Sequence, residues 1–192
     1  MTADQARVHA IVNGDMEAFG ALVRQYYPLA YGLALRLLDD AQDAEEVVQD
    51  TFVKVHDGLA SFRGDAALKT WILRIVMRLS LNRRRDRARS AWRRLGLHRR
   101  QDDESPDWLP TAADAGADPE TLYLSRQMQR LVRRWIQDLP EPLRQAMVLS
   151  SMEELSYEEI ARVLQVPVGT VGSRIHSARK KLLAQFRRHE LL

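Results

Sequence analysis

No segment of this chain alternates apolar and polar residues with a period of two for long enough to build a strand. Apolar residues instead recur at every third or fourth position almost throughout, the spacing that gives a helix one buried face. The expected fold is therefore all-α, with two small helical domains joined by a flexible linker. Residues 5–13 and 16–38 read as helices separated by Gly14-Asp15. In 41–57, Ala44, Val47, Val48, Thr51, Phe52 and Val55 share a face. After a turn at Ser61–Asp65, a long helix is expected over Ala66–Arg89, with Leu68, Trp71, Ile72, Ile75 and Leu79 inward. Phe62, Tyr26, Tyr27 and Tyr31 are assigned to the core on the same grounds.

Charge is blocked along the chain. Nine arginines lie between Arg83 and Arg100, opposed only by Asp86, and the acidic segment 101–120 has no Lys or Arg. Pro106, Pro110 and Gly116 fall in that acidic run, a composition that does not build a core. The domains are placed at 1–94 and 119–192, with 95–118 as the linker. Helical pattern resumes at Pro119-Glu120, with Leu122, Leu124, Met128, Leu131, Val132, Trp135 and Ile136 as its stripe. Leu139-Pro140-Glu141-Pro142 is read as a break and Leu143–Ser151 as a short helix.

Residues 155–182 carry the clearest functional pattern. Ser156 followed by Glu159 is a capping box, Ile160, Val163 and Leu164 form a stripe, and Pro167 cannot continue that helix. In the second helix Val168, Val171, Ile175 and Leu182 are expected inside. Ser173, Arg174, His176, Ser177, Arg179, Lys180 and Lys181 are expected outside. A helix presenting small, polar and basic side chains suits a DNA major groove. An amphipathic hairpin with a solvated basic face has the same pattern.

Two faces of the first domain have opposite sign. Asp43, Glu45, Glu46, Gln49 and Asp50 make the outside of 41–57 acidic, which would repel phosphate and suits a basic protein partner. Arg74, Arg78, Asn82 and Arg85 recur along the long helix opposite its apolar stripe. Arg83, Arg84, Arg87 and Arg89 thicken its end. Such a row can follow a phosphate backbone or reach unpaired bases.

Several classes are excluded or disfavoured. With no cysteine and five scattered histidines, disulfides, thiolate chemistry and a metal site have no residues to build on. No cofactor is expected. No Gly-rich phosphate loop or nucleophile–base pairing is present, so the chain is read as a non-enzyme. The longest apolar run, near Leu29–Leu38, is interrupted by Arg36 and is too short to span a bilayer. With no signal-peptide pattern either, a cytoplasmic protein without membrane insertion is expected.

Three segments together resemble bacterial sigma factors of the extracytoplasmic-function group, in the sigma-70 family. They are DAEEVVQDTFVKV (43–55), FRGDAALKTWILRIVMRLSLNRRRDR (62–87) and LPEPLRQAMVLSSMEELSYEEIARVLQVPVGTVGSRIHSARKKL (139–182). The resemblance implies two helical domains, regions two and four, that bind core RNA polymerase and direct promoter-specific initiation, commonly in a stress response. It implies docking on the clamp coiled coil of the largest subunit through Glu45, Glu46, Gln49 and Asp50, and a second contact with the flap. Arg74, Arg78, Asn82, Arg83, Arg84 and Arg85 correspond to residues that open and read the minus-ten element as single strand. Thr170, Ser173, Arg174, His176, Ser177 and Arg179 correspond to readers of the minus-thirty-five duplex. An anti-sigma factor is expected as a further partner.

Three positions depart from the family pattern: Arg78 where Asn is frequent, Gly172 where Lys or Arg follows GTV, and Ser177 where Arg is common. Unusual promoter preference is expected from them. A stand-alone helix-turn-helix regulator of duplex DNA is the competing reading, but it gives the acidic face no purpose. An RNA-processing enzyme using the basic helix lacks a catalytic constellation.

Overall fold

The computed structural model describes residues 3–93, 119–152 and 155–189. Among these every regular element is a helix. The chain forms two compact units, Met1–Glu104 and Ser105–Leu192. The expected linker 95–118 lies outside the described residues, as do the side chains of Leu122 and Leu124.

The first unit contains α1 (Ala3–Val12), α2 (Met16–Leu38), α3 (Ala41–Gly58), a short 3-10 turn (Leu59–Ser61) and α4 (Leu68–Arg93). Gly14, at φ 95°, breaks the chain after α1, a backbone that glycine adopts at no steric cost. Asp15 then caps α2 by accepting from the Ala18 amide at 2.9 Å. α2 continues through Pro28 and ends at Asp39, whose left-handed φ of 52° turns the chain sharply into α3. Asp40 caps α3, accepting from the Asp43 amide at 2.9 Å. α2, α3 and α4 pack on one another, and α1 lies against α2 and the 3-10 turn. Leu22, Leu33, Leu37, Val48, Leu68 and Ile72 are almost wholly removed from water there.

The second unit contains α5 (Pro119–Gln137), α6 (Glu141–Ser150), α7 (Tyr157–Leu164) and α8 (Val168–Arg188). α8 is the spine against which α5, α6 and α7 pack. Leu149, Ile160 and Ile175 are fully buried between them. Arg144, 4% exposed, donates to the carbonyls of Gln137 (2.8 Å) and Leu139 (3.1 Å). One buried guanidinium thus satisfies the carbonyls left at the end of α5 and fixes the turn into α6.

Several expectations are corrected. α6 begins at Glu141 rather than Leu143, because Pro142 sits in the first turn, where a missing amide costs nothing. α4 begins at Leu68 rather than Ala66. Val168, expected inside, is 41% exposed, since it opens α8 before the helix reaches its neighbours. Tyr26 is buried, but Tyr27 is at the surface, stacked between Tyr31 and Phe52 with ring centroids 6.1 and 6.4 Å away. Trp71 and Phe62 are half-buried and lean on each other at 5.2 Å.

Candidate docking face and nucleic-acid interface

On α3, seven positions from Asp43 to Val55 are buried. Glu45, Glu46, Gln49 and Asp50 remain exposed on the opposite side, as the helical period requires. Asp43 departs from its expected place. It is 8% exposed and turns away from the acidic outer face toward α4. Its Oδ1 accepts from Arg83 Nε at 2.8 Å, and its Oδ2 lies 2.5 Å from a terminal nitrogen of Arg87.

The arginines of α4 therefore divide into two sets. Arg78, Asn82 and Arg85 are exposed and Arg74 is half-buried, in a row that runs along the helix. Arg83, Arg84 and Arg87 lie around the cylinder from that row, beside α2 and α3. Besides Asp43, Arg83 bonds Glu46 through its other nitrogen. Arg87 also reaches Asp40 Oδ2 at 3.0 Å. Arg84 donates to the Leu37 carbonyl at 2.9 Å, one of the carbonyls at the end of α2 where a cation is favoured. Arg83 and Arg84, expected as strand contacts, thus bond to the protein's own α2 and α3.

These bonds set the local electrostatics. Hydrogen bonding to Asp43 holds the Arg83 guanidinium more firmly protonated, outweighing its partial burial, and Glu46 adds to this. Burial alone would raise the Asp40 carboxyl, but the Asp43 amide and Arg87 outweigh it and hold Asp40 below its usual value. Sequence reasoning missed Asp43 and Asp40 as the anchors of α4. An Asp at a helix start is a signal for the cap that Asp40 makes, but nothing local indicates partners some forty residues further on.

In the second unit, Ser156 and Glu159 form the expected reciprocal cap. The Glu159 amide donates to Ser156 Oγ at 3.2 Å and the Ser156 amide to Glu159 Oε2 at 2.8 Å. α7 ends at Leu164, and Gln165, at φ 55°, makes the turn. Val171, Ile175, Ala178 and Leu182 then anchor α8. Ser173, His176, Ser177 and Arg179 are exposed, and Thr170 and Arg174 are half-buried. All six expected readers thus lie on or at the edge of one open face. Ser173 Oγ donates to the Thr170 carbonyl at 3.0 Å. No side chain caps α8, and a Cβ added to Gly169 or Gly172 would meet nothing within 4 Å. The start of this helix is therefore low in relief.

Residues 22–90 match the family model Sigma-70 region 2, and residues 129–182 match Sigma-70, region 4. The chain belongs to the sigma-70 family. Its relatives place it in the extracytoplasmic-function group. It is 38% identical over 190 residues to RNA polymerase sigma-H factor of Pseudomonas aeruginosa, covering 93% of this chain and 91% of that one. To ECF RNA polymerase sigma-E factor of Escherichia coli strain K12 it is 37% identical over 186 residues, covering 93% and 92%. Among solved structures it is similar to CnrH, captured in complex with the cytosolic domain of CnrY, with a TM-score of 0.66 and 27% identity over 97% of this chain and 99% of that one.

The region-two match takes in α3 and all but the last turn of α4, and the region-four match takes in α6, α7 and most of α8. Among the described residues no helix is long and apolar enough to cross a membrane, and no cluster of His, Cys, Asp and Glu could hold a metal ion.

Proposed function

We propose that this sigma factor acts as a promoter-specificity subunit without catalysis of its own, in the cytoplasm. It docks on the clamp of core RNA polymerase through Glu45, Glu46, Gln49 and Asp50 of α3. The strand-reading row is Arg78, Asn82 and Arg85, with Arg74 at its start, and it grips the minus-ten element once unpaired. α8 reads the minus-thirty-five duplex through Thr170, Ser173, Arg174, His176, Ser177 and Arg179. The observation that carries this reading is the pairing of an exposed acidic face on α3 with an exposed Arg/Asn row on α4. Two packed helices of opposite outward sign give a protein contact and a nucleic-acid contact side by side.

The functional units are 1–94 and 119–192, with 95–118 as the tether. Two weak promoter contacts held on one polymerase act together, because the second forms at the effective concentration set by the first. A cognate anti-sigma factor covers these surfaces when the regulon is off. The capture of CnrH with a cytosolic partner domain supports such control.

The test is run-off transcription with purified core enzyme. The chain should assemble with core and initiate at its own promoters. Asp50→Lys should abolish assembly while leaving the affinity of the free chain for duplex DNA within about twofold, a change expected of one distant surface charge. A chain that never engages core, or an Asp50→Lys variant that assembles normally, would defeat the reading.

A further inference from the structure

Four histidines lie among the described residues, and three of them have partners. Asn13 Nδ2 lies 3.0 Å from the His9 ring. His56 stands 3.5 Å from Asp57 and edge-on to Phe19. His189 packs on Trp135 with ring centroids 5.2 Å apart. His176 is exposed and, among the described residues, has no hydrogen bond, ion pair or ring contact. Both of its ring nitrogens are therefore open to an incoming group.

The surroundings of His176 are cationic. α8 contains no Asp or Glu from Val168 to Arg188. Gly172 and Ser173 precede His176 by one turn, and the exposed Arg179 and Lys180 follow it by one turn. The helices packed on α8 supply no bonded partner for it. Their charged groups are Glu158, Glu159 and Arg162 on α7, Glu141 and Arg144 on α6, and Arg126, Arg130, Arg133, Arg134 and Asp138 on α5. Glu159 is engaged in the α7 cap, and Arg144 is buried at the turn into α6. By the helical period, Ser173 and Ser177 form the ridge of the open face, with His176 and Arg179 together on one flank. A helix nearly fills the width of a major groove, so its ridge meets base edges and its flanks meet the two phosphate backbones.

We propose that His176 is a proton-linked phosphate contact, so that a duplex docked on α8 takes up a proton there and is held more tightly as pH falls from 8 to 6. The inference rests on the reading of α8 as the duplex-binding helix and adds a proton to what that helix binds. A neutral imidazole offers one N–H donor, whereas an imidazolium offers two and a positive charge. A phosphate oxygen beside it favours the charged form, so duplex and proton promote each other's binding. Histidine ordinarily changes charge between pH 5 and 8. The gain in affinity accrues as pH falls through that window and levels off below it.

The experiment uses the full chain and a short DNA duplex, read by anisotropy of a pH-insensitive dye at constant ionic strength. Phosphate contacts carry no sequence information, so any duplex serves. From pH 8 to pH 6 the parent should bind about two- to fivefold more tightly, the range of an exposed ion pair. Its log–log salt slope should steepen by up to about 0.9, one phosphate contact on a duplex. His176→Gln should lose this response, and His56→Gln should keep it. His176→Arg carries a permanent cation, so at pH 8 it should bind as tightly as the parent does at pH 6. That gain cannot arise from misfolding.

The proposal is overturned if the parent binds equally at the two pH values, or if His176→Gln keeps the parent's response. Duplex binding that ignores Arg174→Gln and Arg179→Gln would instead defeat the reading of α8 as the duplex-binding helix. The two failures are told apart in one titration series.

Discussion

Gly172 offers a prediction in which stability and function separate cleanly. It sits within α8, between buried Val171 and exposed Ser173, and a Cβ built there meets nothing within 4 Å. Its φ is not positive, so no backbone strain opposes substitution. Gly172→Ala should therefore return only the helix-propensity difference, about 1 kcal/mol. In a unit of this size that raises the unfolding midpoint by about 4–8 °C. Gly172→Lys should stabilise comparably and also restore a cation on the reading face. One added phosphate contact steepens the log–log salt dependence of duplex binding by about 0.9. Between 50 and 200 mM salt, the Lys variant should thus lose about 3.5-fold more affinity than the Ala variant. Because phosphate contacts carry no sequence information, any duplex serves for the anisotropy titration, with scanning calorimetry for stability. A Lys variant with the salt slope of the Ala variant would show that residue 172 does not face the DNA backbone. An Ala variant less stable than the parent would refute the claim that the position is sterically open.

Three further outcomes test the scaffold. Ser156→Ala removes one arm of the capping box on α7 and should cost about 1 kcal/mol in urea unfolding. Asp43→Ala strips Arg83 and Arg87 of their shared, nearly buried partner and should cost about 1–3 kcal/mol, more than removing the half-exposed Glu46. For Asp40, the folded carboxyl titrates below its usual value of 3.8, so its contribution to stability is present above that pH. It is lost as pH falls through the lower folded value, and Asp40→Asn should flatten this part of the stability profile below about pH 4 while keeping the α3 cap.

How far the sequence could be read depended on how local each determinant is. The hairpin α7–α8 was legible because its signals lie within a few residues of one another. Ser156 and Glu159 are three apart, Pro167 stops continuation, and Val171, Ile175 and Leu182 repeat at helical spacing. The start of α6 is harder to place, because a proline that breaks a helix interior is accepted in a helix's first turn. Asp43 is hard to place for a subtler reason. On a helical wheel it falls near the edge of the buried face, and composition assigns a carboxylate there to solvent. What draws it inward is a pair of arginines forty or more residues later, brought across by the packing of α4 on α3.

The same non-locality explains why the arginine-rich end of α4 looked like a single basic surface. Charge counting cannot tell a guanidinium that faces water from one that closes a carbonyl on α2 or a carboxylate on α3. Once Arg83, Arg84 and Arg87 are assigned those partners on α2 and α3, the exposed row facing away from both helices is Arg78, Asn82 and Arg85, with Arg74 half-buried at its start. A narrower row puts more weight on each member, so the Arg for Asn departure at residue 78 matters more than a broad basic surface would suggest. A guanidinium and an amide differ in length, charge and donor pattern. The preference of this sigma factor at the strand position beside Arg78 should therefore follow that one side chain, and Arg78→Asn should alter which base is favoured there rather than merely weaken binding at every sequence.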